Sequence, residues 1–136
     1  MLEQLKDLAQ LAPLLTSIVA AVGVGVAWKQ LDRNRTNQRE TTAKGIWRDY
    51  LRLAIEHPDF AFGRYNEAEQ SKYEWFIAYL LWGAEEILEF DASWERNVEV
   101  TVGYHRQFYR AHPKWLQEEL PLYGEKVKTL VQRQWP

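Results

Sequence analysis

A chain of 136 residues allows one domain of ordinary size, and the absence of cysteine excludes disulfides, thiolate metal sites and a thiol nucleophile. The net charge of −2 hides a split: residues 29–44 carry five Lys/Arg against two Asp/Glu, whereas residues 46–136 carry eleven against fifteen. A short basic collar followed by a mildly acidic body argues against nucleic acid as a partner, since a nucleic-acid-binding domain presents a basic face. Aromatics make up 14% of the chain, including seven Trp and seven Tyr, so a small body still has large side chains to bury and disorder is not expected beyond Leu51.

Taken in order, Met1–Gln10 places Leu2, Leu5 and Leu8 at helical spacing. Leu8–Trp28 then carries no charged residue. A run of about 20 apolar residues is what a helix needs to cross a bilayer core, so the spacing predicts a membrane-spanning helix over residues 1–28. Pro13 falls near its first turns, and Trp28 has the amphipathic ring that favours a membrane–water boundary. Lys29, Arg33, Arg35 and Arg39 follow and are expected to contact the membrane surface. Positive charge on that side keeps the C-terminal part in the cytoplasm. Gly25-Val26-Ala27 offers small residues for signal-peptide cleavage, but a signal peptide carries its positive charge before the apolar run. Ser17, Ala21 and Gly25 recur every four residues, the spacing at which two helices pack closely in lipid, so homo-oligomerisation through the span is expected.

Residues 29–45 read as a polar basic stalk whose one large apolar residue is Leu31, with no heptad pattern. Asn34-Arg35-Thr36 matches a glycosylation sequon, an accidental match in a cytoplasmic segment. Residues 46–136 form the helical domain. A helix from Thr42 presents Trp47, Tyr50, Leu51, Ala54 and Ile55 on one stripe and stops at His57-Pro58. Phe60, Phe62 and Tyr65 pin a connector over residues 59–70. Ser71 and Glu74 read as a capping box opening the central helix, which runs to about Phe90. Its core face is Tyr73, Phe76, Ile77, Leu80, Ala84, Ile87 and Leu88, widened by Trp75, Tyr79 and Trp82. Asp91 or Ser93 caps the next helix, to about Ala111, with Trp94, Val98, Val102, His105 and Tyr109 on its stripe. After His112-Pro113 a short turn leads to a last helix over 122–135 that buries Val127, Leu130 and Val131.

Reactive chemistry is sparse. His57 and His112 sit at helix ends, where the dipole favours a cation, and His105 lies on an apolar stripe as a core residue. No Glu-x-x-His, His-Glu-x-x-His or phosphate-gripping glycine motif occurs. Glu85, Glu86, Glu89, Asp91, Glu95 and Glu99 gather around one helix junction, a solvated face expected to pair with Arg96, Arg106 and Arg110. Its sharper reading is an acidic groove for a basic partner or a cation. No catalytic residue, metal ligand or cofactor is assigned.

The run Trp47-Arg48-Asp49-Tyr50-Leu51-Arg52-Leu53-Ala54-Ile55-Glu56-His57-Pro58, with Trp94 and Tyr104 later, resembles small bacterial single-pass proteins of unknown function. That resemblance implies a bacterial inner membrane and transfers no chemistry to any residue. The expectation is an all-α protein, one membrane helix followed by a small bundle. It would act as a membrane-anchored interaction or scaffolding protein, not an enzyme, with the bilayer, a second copy and an unidentified protein as partners. Trp94, Trp115 and Trp135 are the expected partner surface. The alternatives are a membrane-active effector that oligomerises through its span and an accessory subunit of a membrane complex.

Overall fold

A computed structural model describes the backbone of residues 2–134 and the side chains of residues 13 and 16–134. The fold is all-α, and no strand occurs among the described residues. Helix α1 runs unbroken over Leu2–Glu56. It is followed by α2 (Pro58–Ala61), α3 (Gln70–Phe90), α4 (Glu95–Gly103), α5 (Arg106–Ala111), α6 (Pro113–Glu119) and α7 (Glu125–Arg133). The chain divides into two compact units, Met1–Gln38 and Arg39–Pro136, so a unit boundary falls inside α1 with no break in the helix there.

The first unit is helix alone. Ser17 Oγ donates to the Pro13 carbonyl at 2.8 Å and Thr36 Oγ1 to that of Asp32 at 3.1 Å, each folding its hydroxyl back onto its own helix. The expected single-pass placement in an inner membrane is corrected here. Among the described residues no helix is long and apolar enough to cross a membrane. The described part of the expected span, Thr16 to Trp28, is followed directly by Lys29. The residues at 8–12, 14 and 15, on which the rest of the expected span fell, lie outside the described side chains. The cytoplasmic assignment, which rested on that span, is withdrawn with it.

The second unit owns the core. Ala43, Trp47 and Tyr50 of α1 are buried at helical spacing, and α3 contributes the largest share, including Tyr73, Phe76, Ile77, Leu80, Leu81, Ala84, Ile87 and Leu88. Val98, Val102, Phe108, Tyr109, Leu116, Val127, Leu130 and Val131 close it from α4 to α7. Burying each large apolar side chain stabilises by about 1.5–3 kcal/mol, which is how so short a bundle offsets its chain entropy. The expected core face of α3 is therefore the observed one. On α1 Trp47, Tyr50 and Ala54 of the expected stripe pack inward, whereas Leu51 and Ile55 are exposed and Leu53 packs inward in their place.

Two boundaries differ from the expectation for local reasons. Asn66, rather than Ser71, caps the approach to α3: its Oδ1 accepts from Glu69 N at 3.0 Å and opens a 3-10 turn over Glu67–Glu69 that runs straight into the helix. The single helix expected up to Ala111 is broken at Tyr104-His105, where Tyr104 N and His105 N turn to the Thr101 and Val102 carbonyls. Gly63 explains why the chain must pass close there. It has φ +77°, and a Cβ at that position would lie 2.3 Å from the Tyr104 carbonyl oxygen.

Candidate interaction surfaces

Two surfaces stand out because they are apolar and uncovered. The first is on α1, where Ile18, Val19, Val22, Val24, Val26 and Trp28 are 51–71% exposed. Ile18, Val19, Val22 and Val26 lie within about 100° of one another around the helix and Val24 and Trp28 lie on a second side, and apolar faces of a helix are normally buried. The second is on α3. Trp75 is 76% exposed and Trp82 44%, with Tyr79 edge-on against Trp82 at 5.6 Å and 86°. Leu122 is also exposed, and the chain beside it is tied to α3: Tyr123 Oη donates to the Ala78 carbonyl and Gly124 N to Glu85 Oε1 at 2.8 Å. Contiguous exposed apolar area of this kind marks interaction sites.

The tryptophans expected to form the partner surface are placed differently. Trp94 is half-buried edge-on against Trp47, at 6.3 Å and 68°, and Trp115 is half-buried edge-on against Phe108, at 5.0 Å and 76°. Trp135 lies outside the described residues. The exposed tryptophans of the body, among the described residues, are Trp75 and Trp82, expected to widen the core face. Ser17, Ala21 and Gly25 are exposed, and a Cβ on Gly25 would meet nothing within 4 Å. Trp28, Lys29, Arg33, Arg35 and Arg39 are exposed as well.

The acidic residues do not converge on one site. Glu95 and Glu99 both pair with Arg133, at 3.1 and 3.6 Å, rather than with Arg96, Arg106 or Arg110. Glu85 accepts from Gly124 N, and hydrogen bonding from the Ser93 hydroxyl and then from Ser93 N lowers the Asp91 carboxyl pKa. Arg106 donates to Gln134 Oε1 at 2.9 Å. Among the described residues no group of three or more His, Asp or Glu is placed to hold a metal ion.

His105 is fully buried, and it meets aromatic rings, not carboxylates. Tyr73 Oη and His105 Nδ1 share a hydrogen bond of 2.5 Å. Burial pushes the imidazole down to about 4 and the Tyr73 hydroxyl up. Around this pair Tyr65 stacks on Tyr73 at 4.2 Å, and Phe60 and Phe108 meet it edge-on. His105 Nε2 and Tyr109 Oη have no hydrogen-bond partner among the described residues. A shallow groove of about 570 Å³ lies next to the cluster, lined by Arg64, Tyr65, Gln70, Gln107 and His112 among others, and it brings no Ser or Thr hydroxyl beside the His112 imidazole.

No family model matches the chain, and no curated protein or solved structure is significantly similar to it.

Proposed function

We propose that the chain is a helical interaction protein that assembles copies of itself through the N-terminal part of α1, with the body formed by residues 39–136 as the unit being assembled. One observation carries this reading: six large apolar residues from Ile18 to Trp28 are open to solvent on one helix. Leaving them in water forgoes about 25 cal/mol for each Å² of apolar surface, a driving force toward any surface that covers them. Basic residues follow the segment from Lys29 and give an assembled helix a defined end.

The test is the mass of the purified full chain by light scattering across a concentration series. An oligomer is expected, with Val22→Glu shifting it toward monomer, because a charge in the contact is costly unless paired. A wild-type chain that stays monomeric throughout the series overturns the reading, as does a Val22→Glu chain that assembles like wild type.

A further inference from the structure

The two uncovered surfaces match each other residue by residue. On α3, Trp75, Tyr79, Trp82, Glu86 and Glu89 follow one another at intervals of four, three, four and three, so they form a single stripe along one side of the helix. Its first half is aromatic and its second half acidic. On α1, Val19, Val22, Val26, Lys29 and Arg33 are spaced three, four, three and four, again one stripe, apolar in its first half and basic in its second. Both stripes run for fourteen residue steps, roughly 21 Å of helix. The members of the α1 stripe are all exposed; on α3, Tyr79 and Glu86 are half-buried and the rest are exposed. Among the described residues Lys29, Arg33, Glu86 and Glu89 make no ion pair.

We propose that the α1 stripe of one copy lies parallel along the α3 stripe of a second copy, Val19, Val22 and Val26 on Trp75, Tyr79 and Trp82, and Lys29 and Arg33 beside Glu86 and Glu89. This rests on the self-assembly proposed above and names the surface that the N-terminal helix meets. Alternating three- and four-residue steps on both helices are the pattern that lets two helices interlock at a shallow crossing angle. Polarity sets the direction. A parallel arrangement puts apolar side chains against rings and opposite charges against each other. The antiparallel one sets Glu89 against Val19 and Arg33 against Trp75, desolvating four charges with no partner. The charges sit at one end of the contact, where they fix register and orientation more than they add affinity.

The natural chain has no cysteine, so single cysteines report the contact cleanly. Full-length Val22→Cys and Tyr79→Cys variants, mixed and oxidised, are expected to give a disulfide-linked product joining one of each, with little product from either alone. Val22→Cys crosslinking to itself as efficiently as to Tyr79→Cys overturns the α3 assignment and leaves the self-assembly reading standing. A wild-type chain with no oligomer overturns both. As a second arm, Lys29→Glu/Arg33→Glu and Glu86→Lys/Glu89→Lys are each expected to weaken assembly about tenfold in Kd, and an equal mixture of the two to recover most of it. Either double variant assembling like wild type, or a mixture that recovers nothing while circular dichroism shows both chains folded, overturns the pairing.

Discussion

Tyr73, His105 and Tyr109 show how differently two buried hydroxyls act. Tyr73 Oη satisfies His105 Nδ1, so Tyr73→Phe leaves a buried ring nitrogen without its hydrogen-bond partner and should cost about 1–3 kcal/mol by denaturant unfolding. Tyr109 Oη has no partner among the described residues, so Tyr109→Phe removes a desolvated hydroxyl and should be neutral or stabilising by up to about 1 kcal/mol. A comparable loss in both variants would mean the hydroxyls are equally satisfied. His105 adds a pH dependence of definite sign. Its folded pKa is depressed to about 4, below the unfolded value of 6.5, so between those values the unfolded chain binds more protons. Stability from this residue is complete above pH 6.5 and is lost as pH falls toward 4. A thermal unfolding series over that window should show the decline, and His105→Gln should flatten it. An equally steep decline in that variant would place the titration elsewhere. Gly63 belongs to this scale too. Gly63→Ala meets both a positive φ and the Tyr104 carbonyl, and should destabilise by more than about 1 kcal/mol.

Among the elements, α1 and α3 do most of the organising. Helix α1 changes character along its length: Ala43, Trp47 and Tyr50 are core residues, whereas every described side chain from Thr16 to Arg39 is exposed. Trp47→Ala should therefore cost about 3–5 kcal/mol in unfolding free energy, while Val19→Ala should change monomer stability by less than about 0.5 kcal/mol. The entry to α3 depends on a cap that sequence spacing concealed. Ser71-Lys72-Tyr73-Glu74 has the form of a capping box, yet the preceding turn is already closed by Asn66, and Glu74 instead accepts from Gln70 Nε2 at 3.0 Å. Asn66→Ala should lose about 1 kcal/mol, and Ser71→Ala far less.

Considered as a whole molecule, the protein has a core that, among the described residues, begins at Ala43, and an N-terminal unit with its described side chains in solvent. If copies associate through that unit, folding and assembly are linked, and the melting temperature should rise with protein concentration. A concentration-independent melting temperature in the wild-type chain would separate the two processes.

The periodic apolar pattern was enough to read the all-α class, the core face of α3 from Tyr73 to Leu88 and the stops at His57-Pro58 and His112-Pro113, because each follows from side-chain spacing or a missing backbone donor within one segment. Burial of Trp94 against Trp47, exposure of Trp75 and Trp82, the pairing of Glu95 and Glu99 with Arg133, and the Tyr73–His105 bond depend on which distant segment arrives at each helix. Spacing along one helix fixes which residues share a side; it does not say how wide a neighbour is or where its edge falls. The contacts made by distant segments leave a second, aromatic-to-acidic stripe open on the most apolar helix of the body.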